Sequence, residues 1–374
     1  MSNNSSNELV VNPAPHIHGT MTKNRMMQYT FIALLAVTVV SAAIWSSVTT
    51  PSGWNLGLTV AISAVIAVGI AVALDFLIGK TASDSEVNTW SAAVFGLIVT
   101  DCFTLGIPAM NTEMGIPAEA PLAFYYVALI SVIGLVVFKK VMSLAGRKLV
   151  NPAAAAKFLV LLPALPATLL AADHLLDGPL MVPSLAGPLG FGMAPINDNG
   201  GASFAYYLAS CFGNPNVMIS DVTTSDLLNM MILGKFHGWV GGACSIAVIV
   251  AGIALFVVGR KYFKWKITAS YLLSIALLSV IFSFMYADAD LLPRLLFSLF
   301  VGSSIFMAFF MATDPATTPY SGVGQIIFGV GLAVLTIVIQ TYMNFFGGAL
   351  LALLIMNLLT PAIDKIRINK PFGR

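Results

Sequence analysis

Long apolar runs separated by short polar segments organise the chain. Runs of about 20 residues, the length that crosses the hydrocarbon core as a helix, fall at Met26–Trp45, Leu56–Ile78, Trp90–Ile107, Leu122–Phe138, Ala153–Ala172, Val240–Val258, Ile267–Tyr286, Leu295–Met311, Ile326–Met343 and Phe345–Ile363. The pattern predicts an all-α polytopic membrane protein with about ten transmembrane helices. One long polar excursion, residues 173–239, divides it into a first half, 26–172, and a second, 240–363. Polar tails, 1–25 and 364–374, flank the halves. The first tail has no apolar core of a signal peptide, so the first run is expected to serve as its own anchor.

Five runs on either side of an outer segment would give the halves opposite orientations, the inverted arrangement common among transporter folds. A faint echo between them supports it. The third run passes into VTDCFTLGIPAMN (Val99–Asn111) and the eighth into FFMATDPATTP (Phe309–Pro319), each a polar, proline-containing break. Lipid cannot satisfy the backbone groups of such breaks, so they should be buried in protein or line a cavity.

Charge sets the orientation. Lys23, Arg25, Lys80, Lys139, Lys140, Arg147, Lys148, Arg260, Lys261, Lys264, Lys266, Lys365, Arg367, Lys370 and Arg374 all fall on one side, and Lys157, Lys235 and Arg294 lie elsewhere. The positive-inside rule then places both tails in the cytoplasm and residues 173–239 outside a cytoplasmic membrane.

Composition agrees: 58% of residues are hydrophobic and 9% charged, with a mean hydropathy of +0.90. A net charge of +2 without a basic, aromatic-interleaved patch gives no case for nucleic-acid binding. Cys102, Cys211 and Cys244 contain no CxxC pair and cannot alone supply four ligands to an iron–sulfur cluster. His16 and His18 read as a solvated tail rather than a metal site.

The outer segment is too long for an idle connection. Its aromatics, Phe204, Tyr206, Tyr207 and Phe212, predict an ordered surface, and Trp239 is expected to anchor the returning chain at the membrane interface. Within it, Ser220-Asp221-Val222-Thr223-Thr224-Ser225-Asp226 precedes a helical run, Leu227–Leu233. Hydroxyl and carboxylate side chains cap helices. A phosphate esterified to a threonine there would face free N–H groups and the positive end of a helix dipole.

Ionisable groups inside spans are costly and so point to function. Asp101, deep in the third run beside Thr100 and Thr104, is the ion-path candidate; the alternative is a carboxyl held neutral or hydrogen-bonded in a helix interface. Asp75 lies near a span end, and Lys157 is expected to snorkel to one. Asp314 and Asn151, each before a proline, read as turn caps. Gly322, Gly324, Gly329, Gly331, Gly347 and Gly348 read as close-packing surfaces, and without GxxxxGK there is no ATP-driven reading.

The chain resembles the RnfD/NqrB family of membrane subunits, RnfD more than NqrB. The features that carry this are Pro15-His16-Ile17-His18, Gly146-Arg147-Lys148-Leu149-Val150-Asn151-Pro152-Ala153, the outer hydroxyl cluster and Ala312-Thr313-Asp314-Pro315. The resemblance implies a subunit of an Rnf-type ion-translocating oxidoreductase complex, not catalytic alone, carrying FMN joined by a phosphoester to a threonine. The acceptor motif of the family, Ser/Thr-Gly/Ser-Ala-Thr, is matched by Ser220-Asp221-Val222-Thr223, with Asp and Val in place of small residues; a rival register starts at Asp221 and places Thr224 within the motif. Thr223 is the implied acceptor and Thr224 its alternative, with Ser220 and Asp221 beside the cofactor; the alternative to both is a plain helix cap. A second, non-covalent flavin between the halves is the further cofactor to look for. The implied partners are a peripheral flavoprotein subunit, intramembrane iron–sulfur subunits and cytoplasmic ferredoxin or NADH modules, with Na⁺ or H⁺ as the coupled ion. A small-solute channel or carrier and a flavin-free scaffold or ion-path subunit are the rival readings.

Overall fold

The computed structural model describes residues 22–46, 53–81, 87–105, 120–142, 149–161, 238–259, 262–285, 291–300, 304–342 and 348–366. In chain order these form α1 (Lys23–Trp45), α2 (Leu56–Thr81), α3 (Thr89–Asp101), β1 (Thr104–Leu105), α4 (Ala120–Ile133) and α5 (Pro152–Leu161). There follow β2 (Gly238–Trp239), α6 (Ser245–Val258), α7 (Trp265–Met285), α8 (Leu291–Phe300), α9 (Ser304–Phe306), α10 (Gly322–Tyr342) and α11 (Gly348–Asp364). α4 runs on through a π-helical stretch, Gly134–Val141, and α9 through another, Met307–Met311.

Lys23–Trp45, Leu56–Lys80, Ala123–Val141, Trp265–Phe282 and Gly322–Ile339 are long and apolar enough to cross a bilayer. Thr89–Asp101, Ser245–Val258 and Gly348–Asp364 are apolar but shorter. The fifth predicted run is described as far as Leu161, and of the eighth the described residues are helical, in α8 and in α9 with the π-helical stretch that follows it.

The helices carry apolar side chains on their outward faces. On α7, Leu273, Leu277 and Phe284 are exposed, while Thr268, Tyr271, Ile275 and Ser279 at helical spacing point inward and are buried. On α1, Leu35 and Val39 are exposed and Thr38 and Ser41 are buried. A water-soluble helix places its polar residues the other way round, so the surface suits lipid. The protein is a polytopic, predominantly helical membrane protein.

Packing repeats across the two halves. α2 packs against α3 and α4, and α7 against α8 and α10; the halves meet through α1 against α6 and α5 against α11. Close approach of α7 and α10 requires Gly329: a Cβ there would lie 2.0 Å from Ser270 Oγ and 2.7 Å from the Ile267 carbonyl oxygen.

Three sequence expectations are corrected here. The third run leaves the helix at Asp101, where the Cys102 N–H still reaches the Ile98 carbonyl at 2.9 Å and the Phe103 N–H that of Thr100 at 3.1 Å. β1 then pairs antiparallel with β2, Thr104 opposite Trp239 and Leu105 opposite Gly238, and the Val240 N–H donates to the Phe103 carbonyl at 2.9 Å. This small ladder satisfies backbone groups that lipid could not. Second, Trp239 is not an interface anchor: it is 2% exposed, held inside by the ladder. Third, the sixth run begins with a short 3₁₀ turn, Val240–Gly242, and becomes α-helical only at Ser245.

Candidate functional site

The end of α3 is the centre of the buried polar structure. Asp101 is fully buried, and its two carboxyl oxygens lie 2.9 and 3.0 Å from Thr38 Oγ1 on α1. The same hydroxyl lies 2.9 Å from the Leu34 carbonyl, one turn back on its own helix. Gly241, in the turn before α6, comes in from another side, where a Cβ would lie 2.6 Å from the Phe306 ring and 2.8 Å from Asp101 Cβ. Glycine is what lets this turn touch the carboxyl-bearing helix end.

Lys157 on α5 completes the cluster and departs from expectation. It does not snorkel: it is fully buried, and its ammonium donates to the Cys102 carbonyl at the open end of α3. A cation at a helix C-terminus meets the negative end of the dipole. The ammonium also stands over the Trp239 ring, 5.0 Å from its centroid, and Trp239 in turn meets Phe306 edge to face at 6.2 Å. Thus Thr38, Asp101 with Cys102, Lys157 and Trp239 come from four separate stretches of chain. Thr38 was missed by sequence reasoning, though a hydroxyl pair, Thr38 and Ser41, on one face of an apolar run was a usable signal; Lys157 was noticed but expected to snorkel.

A cavity of about 110 Å³ lies between the halves. Its walls include Met26 and Thr30 of α1, Phe95 and Ile98 of α3, Lys139, Asn151 at the start of α5, and Phe309, Phe310, Thr313 and Asp314. The two proline motifs that are far apart in sequence meet here. Asn151 Oδ1 accepts from the N–H groups of Ala153 and Ala154 at 3.1 and 3.3 Å, capping α5, while its amide nitrogen donates to the Met311 carbonyl at 3.4 Å. With its amide turned so that both ends are satisfied, Asn357 accepts from the Asn151 N–H at 3.0 Å and donates to the Thr317 carbonyl at 3.3 Å. Asp314 caps its own turn by accepting from the Ala316 N–H at 3.1 Å, and Lys264 donates to the carbonyls of Pro315 and Thr318 at 3.2 and 2.8 Å. The break after the eighth run is therefore fixed by hydrogen bonds, with one side facing the cavity.

The cavity presents a defined chemistry. Thr30 and Thr313 donate their hydroxyl protons to the carbonyls of Met26 and Phe309 at 2.9 and 2.7 Å, so each offers its oxygen to the cavity as an acceptor. Lys139 donates to the Ser91 carbonyl at 2.7 Å and stands 5.7 Å from the centre of the Phe95 ring. Aromatic walls with a few polar groups are what a planar organic cofactor needs. Asp75, in contrast, is structural: it pairs with Lys140 at 2.7 Å and accepts from the Asn88 N–H at 2.8 Å.

Ser220, Asp221, Thr223 and Thr224 lie outside the described residues.

Comparison with known proteins adds the identity. The profile of the NQR2, RnfD, RnfE family matches residues 10–373. The chain belongs to this family. One relative, the D-type subunit of the Na⁺-translocating ferredoxin:NAD⁺ oxidoreductase complex of Acetobacterium woodii, is 26% identical over 366 residues, covering 98% of this chain and 95% of the relative. Its counterpart in the proton-translocating ferredoxin:NAD⁺ oxidoreductase complex of Clostridium ljungdahlii is 24% identical over 375 residues, covering 98% and 97%. The B-type subunit of the Na⁺-translocating NADH-quinone reductase of Stutzerimonas stutzeri is 29% identical over 165 residues, covering 43% and 40%. For a member of the NQR2, RnfD, RnfE family, the buried cluster at the end of α3 and the cavity between the halves are two places among the described residues where polar chemistry gathers.

Proposed function

We propose that this chain is the D-type membrane subunit of an ion-translocating ferredoxin:acceptor oxidoreductase complex, passing electrons through a covalently bound FMN and contributing to coupled Na⁺ or H⁺ movement. The observation that carries the reading is the family match over nearly the whole chain, residues 10–373, shared with relatives named as subunits of such complexes. The subunit works in a cytoplasmic membrane with both tails inside, beside a peripheral flavoprotein, intramembrane iron–sulfur subunits and cytoplasmic ferredoxin or NADH modules. Thr223 holds the FMN phosphate, with Thr224 the alternative, and Ser220 and Asp221 flank it. A flavin bound there supplies a carrier able to take and pass single electrons.

A second, non-covalent flavin between the halves belongs to this reading; it would need the cavity of about 110 Å³ to widen. Phe95 and Phe309 would give it apolar faces, and the hydroxyl oxygens of Thr30 and Thr313 would be acceptors for a ring N–H. Asp101 lies on the ion path, as its burial away from lipid and its hydroxyl partner support. The cavity between the halves also favours a second reading, a carrier for a small polar solute.

The deciding experiment is the mass of the outer peptide containing residues 217–235, taken from protein purified with its complex and flavin transferase. An FMN-sized addition supports the electron-carrying reading, and fragmentation assigns the threonine. An unmodified peptide from fully processed protein would leave a scaffold or ion-path subunit.

A further inference from the structure

We propose that the ion taken up at Asp101 is a proton, and that it arrives along the buried face of α1, past Ser41, from the Trp45 end. This deepens the ion-path reading of Asp101 and rests on it.

The first observation is a count of hydrogen atoms. Thr38 has one hydroxyl proton and three acceptors within reach: the Leu34 carbonyl at 2.9 Å and the two Asp101 oxygens at 2.9 and 3.0 Å. Among the described residues, Thr38 is the one hydrogen-bond partner of the carboxyl, and no cation forms an ion pair with it. When Asp101 carries a proton, it donates to Thr38 Oγ1 while Thr38 donates to Leu34. When it is ionised, Thr38 must turn its only proton to the carboxylate. Both arrangements fit the same heavy-atom geometry, so the pair is built to change by one proton.

A hard metal cation would require something else. Such ions are held by a shell of several oxygens. Around Asp101, α1 supplies the Thr38 hydroxyl, the turn before α6 supplies Gly241, α9 supplies the Phe306 ring, and α5 brings Lys157. The Cys102 thiol, on α3 itself, turns to the Val99 carbonyl at 3.4 Å. The Cys102 carbonyl, which could join such a shell, is already taken by the Lys157 ammonium.

The second observation gives the route. Ser41 and Trp45 follow Thr38 on the buried face of α1, and Ser41 Oγ and Trp45 Nε1 have no hydrogen-bond partner among the described residues. With a rise of about 1.5 Å per residue they lie about 4.5 and 10 Å beyond Thr38 along the helix. Buried polar atoms without protein partners are normally met by water. In the other direction, Ile98 and Phe310 line the cavity, and Phe310 packs on Phe306 at 5.3 Å. The carboxyl is thus polar toward Ser41 and shut off by apolar side chains toward the cavity. A hydronium ion beside Ser41 gives one proton to the carboxylate: its O–H bond breaks, an O–H bond forms on Asp101, and neutral water and neutral acid remain.

The test uses the whole complex in proteoliposomes, reading protons, ²²Na⁺, electrons and flavin together. Asp101→Asn is expected to reduce protons moved per electron to background, and Ser41→Val to slow proton uptake, with Ser41→Thr restoring it. Redox-difference infrared spectra should contain a carboxylic-acid C=O band that shifts in D₂O and moves in Asp101→Glu; this readout serves even where Asp101→Asn fails to assemble. Normal protons per electron in Asp101→Asn, loss there of ²²Na⁺ uptake alone, or no such band would overturn the proposal. Absence of flavin and electron transfer in the wild type would instead sink the functional reading; the carboxylic-acid band is then read in pH-difference infrared spectra, and its absence there would overturn the proposal.

Discussion

The side chain of Asn151 donates to the backbone carbonyl of Met311 at 3.4 Å, across 160 residues of sequence. This contact fastens the start of α5 to the end of the π-helical stretch after α9, and both border the cavity. Asn151→Asp keeps the cap on Ala153 and Ala154 but loses the amide donor, whereas Asn151→Ala loses both. Loss of a helix cap costs about 1 kcal/mol. Thermal unfolding of the purified protein should therefore rank wild type above Asn151→Asp above Asn151→Ala. An Asn151→Asp variant as stable as the wild type would mean that the Met311 contact contributes nothing.

Lys157→Met removes the ammonium from the Cys102 carbonyl and from the Trp239 face. A buried carbonyl left without its donor costs about 1–3 kcal/mol. The expected result is a lower unfolding temperature together with altered tryptophan emission, which a Trp239→Phe background should abolish. An unchanged spectrum would contradict the placement of Lys157 over the indole.

Gly329→Val should separate α7 from α10, because even a Cβ would meet Ser270 and the Ile267 backbone. Overpacking of a tight contact costs about 1–3 kcal/mol. Reduced yield of folded protein is expected, and Ser270→Ala should rescue it only in part, since the Ile267 carbonyl cannot be trimmed. Gly53, whose added Cβ would meet nothing within 4 Å, differs in having a φ of +84°. There the expected penalty of a substitution is backbone strain instead of crowding.

Thr223→Ala should abolish covalent flavin, read as in-gel fluorescence of the denatured protein, while Thr224→Ala retains it. The opposite result would assign the phosphoester to Thr224. Flavin retained in both single variants and in the double variant would place the attachment elsewhere.

Much of the architecture was legible because lipid demands long apolar runs, and α1, α2, α7 and α10 fall where those runs lie. The structural roles of Asp314 and Asn151 as caps were legible too, since a proline after an Asn or Asp marks a turn. At the end of α3 the break at Val99–Asn111 was legible, but not what fills it. Nothing in the apolar run through Ile107 announces that backbone pairing with Gly238 and Trp239 will take over after Asp101, because a two-residue ladder depends on a partner more than 130 residues away. Lys157 misled for a similar reason: a lysine near a span end can reach water, and only the exposed carbonyl of Cys102 gives it a better place inside. For the site, Asp101 stood out by its charge, whereas Thr38 became visible only once α1 and α3 were packed together.

The shortness of α3 has an electrical consequence. Thirteen residues span about 20 Å, against a hydrocarbon core of about 30 Å, and polar ground begins on both sides of the aromatic layer formed by Phe306 and Phe310. Where water enters from both sides, a membrane potential falls across the insulating layer left between, so the proposed route past Ser41 would concentrate the field beside Asp101. Each elementary charge carried through the full potential exchanges about 2.3 kcal/mol per 100 mV. On the proposed proton path part of that work is done in this one step, and the voltage across the membrane acts on the loading of a single side chain.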